Sequence, residues 1–352
     1  LKAWGWASGG VILFLSASWS GMLDIWICAI GMATFISPWF IAEEGESSKF
    51  SFKERKFQQR IALWTPVVAV GLYLILTLVI LISSIDSIQF AAHELYGAPF
   101  IAAVMLAFVM WSMRDKPQRV FFLLVSTPLI LLFAWQFGNS LGYDSSDILG
   151  ASLSRGQIGM VVLLPALLAL PATVSLIREN SGKRKITFFA HFIHLGLVLL
   201  VIGHVMSTTI IDRGTYSHSV TLIQDEKVEW GDYQFEFVEV VTQSGDDLEV
   251  GDGYLGAVIN VYDDDGELIE TVEPGVIRFD SRSRSEVDRV SMWHGDLVLI
   301  MDGTQARSLM EGSDLVRIMV YDLPGIHLVW GGWSLMLLAS LAIWIPRRDP
   351  TD

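Results

Sequence analysis

Long apolar runs separated by short polar ones fill the first 211 residues, a two-residue alternation follows, and a last apolar run closes the chain. About 20 apolar residues, rising 1.5 Å each, cross the hydrocarbon core of a bilayer. By that measure the pattern predicts eight transmembrane helices. Seven fall at about 3–18, 22–42, 61–83, 97–113, 119–137, 158–177 and 187–211, and the eighth at about 325–345. The first two part at Ser18-Trp19-Ser20-Gly21, and the sixth tolerates Pro165 and Pro171 because neighbouring helices can satisfy the freed carbonyls.

Between 212 and 324 the period shortens to two. VTLIQ (220–224), YQFEFVEVV (233–241), YLGAVINVY (254–262), LVLIM (297–301) and LVRIMVY (315–321) read as strands. Turns are marked at Gly251-Asp252-Gly253, Asp265-Gly266 and Asp302-Gly303. The fold class predicted is a polytopic α-helical membrane protein with a small all-β domain, a sandwich or barrel, inserted before the last helix.

Charge orients this layout. Loops 43–60, 114–119 and 178–186 and the pair Arg347-Arg348 are basic, whereas 84–96 and 138–157 are poor in Lys and Arg. With eight spans the two kinds alternate without exception, which puts both termini in the cytoplasm and 212–324 outside, across a plasma membrane. The net charge of −14 is uneven: 212–324 holds 25 acidic against 8 basic residues, a net of −17. No basic face exists to neutralise phosphates, so nucleic acid is excluded as a partner. The acidic residues form a solvated face or a docking surface for a basic partner.

Candidate chemistry is sparse. The one cysteine, Cys28, rules out an internal disulfide, a cysteine-based zinc site and a C-x-x-C-H haem attachment. No G-x-S-x-G, P-loop or H-E-x-x-H motif occurs, and the G-x-G-x-x-G at 251–256 runs into a strand and not into a helix, so hydrolases and nucleotide enzymes lack support. Span seven, however, carries His191, His194 and His204, and an imidazole inside a membrane is costly unless it is paired, lines a cavity or binds something. His191 lies one turn before His194, and His204 ten residues after it, about 15 Å along the helix. Gly196 and Gly203 leave room for a flat ring or a neighbouring helix. His93, Glu94 and Tyr96 share an outer loop; His218 and His294 fall in the β domain; His327 opens the last span. Arg278, Arg282, Arg284 and Arg289 are the basic cluster of the acidic domain, suited to internal ion pairs or to a carboxylate ligand.

Several of these segments resemble a known family in order. KRKITFFAHFIHLGLVLLVIGHV (183–205), GMVVLLPALLAL (159–170), VEWGDYQFEFVEV (228–240), TVEPGVIRFDSRS (271–283), HGDLVLIM (294–301) and VRIMVYDLPGIHLVWGGWSLMLLASLAIW (316–344) are similar to the C-terminal half of CcmF, the haem-lyase subunit of cytochrome c maturation. The family's Trp-rich WGGxWxWDP-like motif and its flanking histidines have no counterpart here, so the resemblance implies one half of a split or truncated protein. It further implies that His194, in the x-H-L-G position, is one axial ligand of a membrane haem b. The second ligand would come from a partner chain, with His204 and His191 near the haem.

The partners implied are an N-terminal CcmF-like half bearing the Trp-rich motif, the haem chaperone and thiol-handling subunits, and apocytochrome c. The membrane haem would supply electrons that keep the incoming haem iron reduced. No residue here is assigned a catalytic role. A respiratory b-haem anchor and a cofactor-free scaffold with an acidic receptor domain are the alternatives.

Overall fold

The computed structural model describes residues 55–83, 90–140, 145–148, 151–182, 185–210, 218–244, 251–279 and 282–345. The predicted spans at 3–18 and 22–42, and Cys28, lie outside them. The chain divides into a helical unit, Leu1–Val205 with Leu328–Asp352, and a β unit, Met206–His327.

The helical unit contains α1 (Arg55–Ser83), α2 (Phe90–Ser112), α3 (Pro117–Ser140), α4 (Arg155–Glu179), α5 (Lys185–His204) and α7 (Ile326–Trp344), with the hairpin β1 (Ser145–Ile148) and β2 (Ala151–Ser154) before α4. Among the described residues, four helices are long and apolar enough to cross a membrane: Pro117–Asn139, Arg155–Glu179, Lys185–Thr209 and Ile326–Trp344. That finding corrects the expectation of eight spans. The apolar part of α2 is only Gly97–Ser112, which rises about 24 Å against a hydrocarbon core of about 30 Å. Its first turns hold His93 and Glu94, which belong to a helix and not to a loop. The helix α1 spends its opening turns on Arg55, Lys56, Gln58, Gln59 and Arg60.

Packing follows membrane rules. Leu129, Leu132 and Phe133 of α3 and Leu338 and Leu341 of α7 are exposed, an apolar surface suited to lipid. Small residues let backbones approach: a Cβ on Gly196 of α5 would meet the carbonyl oxygen of Gly332 of α7 at 2.6 Å. Polar contacts gather at the basic ends of the helices. Gln58 is buried and its Nε2 donates to the Pro117 carbonyl at 3.0 Å; Arg114 pairs with Glu179; the Lys185 ammonium donates to the Ile345 carbonyl at 2.6 Å.

The start of α4 is set by a reciprocal cap. Ser154 Oγ accepts from the Gln157 amide at 3.1 Å, and Gln157 Oε1 accepts from the Ser154 amide at 2.9 Å. Two orphan donors of the first turn are thereby satisfied. Ser154→Ala is expected to cost about 1 kcal/mol, measured as a lowered thermal midpoint in detergent.

In the β unit nine strands form one antiparallel sheet: β3 (Ser219–Ile223), β4 (Lys227–Trp230), β5 (Tyr233–Ser244), β6 (Gly253–Asp263), β7 (Leu268–Val272), β8 (Gly275–Phe279), β9 (Arg282–Met292), β10 (Gly295–Met301) and β11 (Leu315–Pro324). The order is β3-β11-β10-β9-β8-β6-β5-β4, with β7 on β6. Nine strands make this a large sheet, so the expected small β domain is also corrected. The strands absent from the sequence pattern are β4, β7, β8 and β9.

The sheet folds over on itself. The Gln224 side-chain amide donates to the Val238 carbonyl at 2.8 Å and the Asp225 amide to the Phe237 carbonyl at 2.9 Å, joining the end of β3 to β5. Between the two halves lies one core containing Leu222, Phe235, Phe237, Ile259, Leu297, Leu299, Ile318 and Val320. A short helix, α6 (Ala306–Met310), seats Leu309 on it.

Asp322 of β11 faces the same side as Leu297, its register partner, and its Oδ1 is buried without a hydrogen bond. Burial holds its carboxyl above the ordinary carboxylate value; His294 opposes the rise, and the Asp232 charge adds to it. A raised carboxyl binds more protons folded than unfolded, so its stability penalty grows as pH rises through the folded-state value and persists at neutral pH. Asp322→Asn is therefore expected to stabilise the β unit at pH 7 by about 1 kcal/mol. The gain should vanish once pH falls below the ordinary value of 3.8. Paired melts of the two proteins across pH check this, because the other carboxyls cancel in the difference.

Candidate functional site in the helical unit

Three helices matter to the histidines. The helix α5 carries them, α2 supplies the side chain that one of them stacks on, and α7 packs on the glycine two residues beyond His194. The His194 ring lies against the Phe108 ring of α2, centroids 4.7 Å apart and planes 27° from parallel. The His191 ring stands 5.5 Å from it, tilted by 63°. His191 is buried, and Nδ1 of His194 is buried with no hydrogen-bond partner.

An imidazole nitrogen shielded from water and left without a partner costs free energy that a packed apolar ring in the same place would not. Stacking on Phe108 covers one face of the ring, and the buried Nδ1 at its edge is left without a hydrogen bond. A histidine in this state fits an axial haem ligand, which binds iron through a ring-edge lone pair.

Not every predicted site residue joins it. His204 is exposed, and His194 and His191 are the two brought into ring contact. Gly196 is used by protein: its Cβ position would meet Gly332 and, at 2.6 Å, Met336 Cγ of α7, so it leaves no room for a flat ring. Among the described residues no group of three or more His, Cys, Asp or Glu is arranged to hold a metal ion. Phe108 carries no mark in the sequence, where it is one aromatic in an apolar run.

Several β-unit candidates have structural partners. His218 is buried, bonded through Nδ1 to the Val320 carbonyl at 2.9 Å and stacked on Tyr321 at 4.9 Å. His327 Nε2 donates to the Met292 carbonyl at 2.6 Å. Arg289 pairs at 3.1 Å with Asp296, a buried carboxylate that also accepts from Ser291 Oγ at 3.0 Å. Arg284 lies 3.9 Å from Glu286.

No protein-family model matches the chain, and no curated protein matches it. Among solved structures it is similar to "Cytochrome c Heme Lyase CcmF", with a TM-score of 0.55 and 15% identity. The alignment covers 98% of this chain and 59% of that one, so the chain spans less than two thirds of that protein's length. The likeness is consistent with the resemblance read from the residues. The fold of this chain is that of the cytochrome c haem lyase CcmF.

Proposed function

We propose that this chain works in cytochrome c maturation as the C-terminal module of a haem lyase, holding a membrane b-type haem through His194. The observation that carries the reading is the buried, partnerless Nδ1 of His194 on a ring stacked against Phe108, set in a CcmF-like fold. When bound, the haem supplies a one-electron redox centre. Holding and orienting it falls to the chain's own residues. His194 would give the haem one nitrogen ligand, with Phe108 fixing the plane of its ring and the Gly196–Gly332 contact fixing the spacing of α5 and α7. The second ligand would come from a partner chain, an N-terminal CcmF-like half bearing the Trp-rich motif. Ligation of haem to apocytochrome c takes place on that partner's surface, with haem-chaperone and thiol-handling subunits in attendance. In this reading the β unit lies outside the plasma membrane and the basic helix ends lie in the cytoplasm.

The test is a reduced-minus-oxidised visible spectrum of the detergent-purified chain, alone and with that N-terminal half. A b-type signal that needs the partner is expected. A full signal from this chain alone overturns the half-site, and no signal in either preparation overturns the haem reading and favours a scaffold.

A further inference from the structure

The turn joining β9 to β10 is the two-residue hairpin Trp293-His294, and Trp293 is 92% exposed. An indole has a large apolar body with a single polar N–H, so it is at home where one end is dry and the other wet. The position of this turn along the chain matters. The His327 ring, in the first turn of α7, donates to the Met292 carbonyl at 2.6 Å. The Gly325 amide donates to the His294 carbonyl at 2.8 Å. Gly295 pairs with Pro324, so close that a Cβ on Gly295 would meet Pro324 Cα at 2.8 Å. Three separate contacts therefore bind the turn to the residues that lead into a helix long enough to cross a membrane. A fourth marks the same level from another span: a Cβ on Gly325, which lies in the left-handed region at φ +77, would meet the side chain of Met206, in the π-helical turn that ends α5, at 3.2 Å.

From this arrangement we propose that Trp293 is a membrane-interface anchor, with the Trp293-His294 turn lodged in the headgroup layer where α7 enters the bilayer. The occupant of the exposed indole face is lipid, because the turn is tied to a span's first residues and interfacial Trp marks that depth. The proposal rests on Ile326–Trp344 being a membrane span and is independent of haem binding.

Spin-label accessibility in nanodiscs tests it on the full chain. Cys28, the only cysteine, is replaced by Ser, and a nitroxide is placed at Trp293→Cys or Met310→Cys. Met310 is 65% exposed and precedes the far end of β11, about 30 Å along the strand from Pro324. The label at 293 is expected to collide with oxygen more than with an aqueous nickel chelate, and the label at 310 to do the reverse. Equal access to the chelate at both positions overturns the proposal. So does protection of 293 from both reagents, which would mean protein covers the turn. Because the label replaces the indole, a second measurement reads the native side chain: the fluorescence difference between the unaltered chain and Trp293→Phe. Brominated lipids are expected to quench most of that difference; an unquenched difference overturns the anchor.

Discussion

His194→Ala is expected to abolish the b-type difference signal of the complex between this chain and its N-terminal half. The ring is one of the two axial ligands proposed for the haem, and no described neighbour can replace it. His191 offers a nitrogen one turn away, but its ring sits 5.5 Å off and tilted. His204 is about 15 Å along the helix. Exogenous imidazole should restore part of the signal by filling the space left, which a misfolded variant would not permit. Phe108→Ala keeps the ligand and frees its ring, so it should weaken haem affinity by about tenfold, as loss of an orienting neighbour does at other metal sites. A His194→Ala complex with an unchanged spectrum would remove His194 from the site and turn attention to His204 or His191.

Gly332→Leu is expected to have the second largest effect, through packing alone. A Cβ at 332 would lie 2.6 Å from the Leu200 amide nitrogen, and the obstacle is backbone that cannot rotate away. Overpacking of this kind costs about 1–3 kcal/mol, and in lipid no solvent-driven term returns it, since close van der Waals contact is what holds two spans together. Gly332→Leu should therefore melt earlier in detergent, with Gly332→Ala intermediate. It should also lose haem, although the residue is no ligand, because α7 packs on Gly196, two residues from His194. A Leu variant that melts with the unaltered protein would show that α5 and α7 separate freely.

Much of this was legible in the residues, and what was not has physical causes. Strands β3, β5, β6, β10 and β11 alternate cleanly because one side of each meets the core. Strand β9 reads RSRSEVDRVSM, with Glu286 and Asp288 on the side that faces the sheet's interior and Val287 half exposed on the other. Its period is hidden by inward-facing carboxylates, one of which, Asp288, accepts the Glu273 amide at 2.7 Å. The span count failed where apolar length was read without its polar ends, as in α2. His194 stood out because histidine is rare in an apolar run. Phe108 did not, since an aromatic in such a run gains meaning only from what stands opposite in space.

The two ends of the β unit bear on how such a chain could be built and rebuilt. Its first and last strands, β3 and β11, are neighbours, and the residues where the chain leaves α5 and enters α7 lie close enough that a Cβ on Gly325 would meet Met206 at 3.2 Å. The whole unit is thus a cassette with entrance and exit side by side. Excising 207–324 leaves two ends close together, and closing so short a loop costs little conformational entropy. A gene encoding the helices can gain, exchange or lose the insert without re-threading them, which makes the β unit the part most free to diverge.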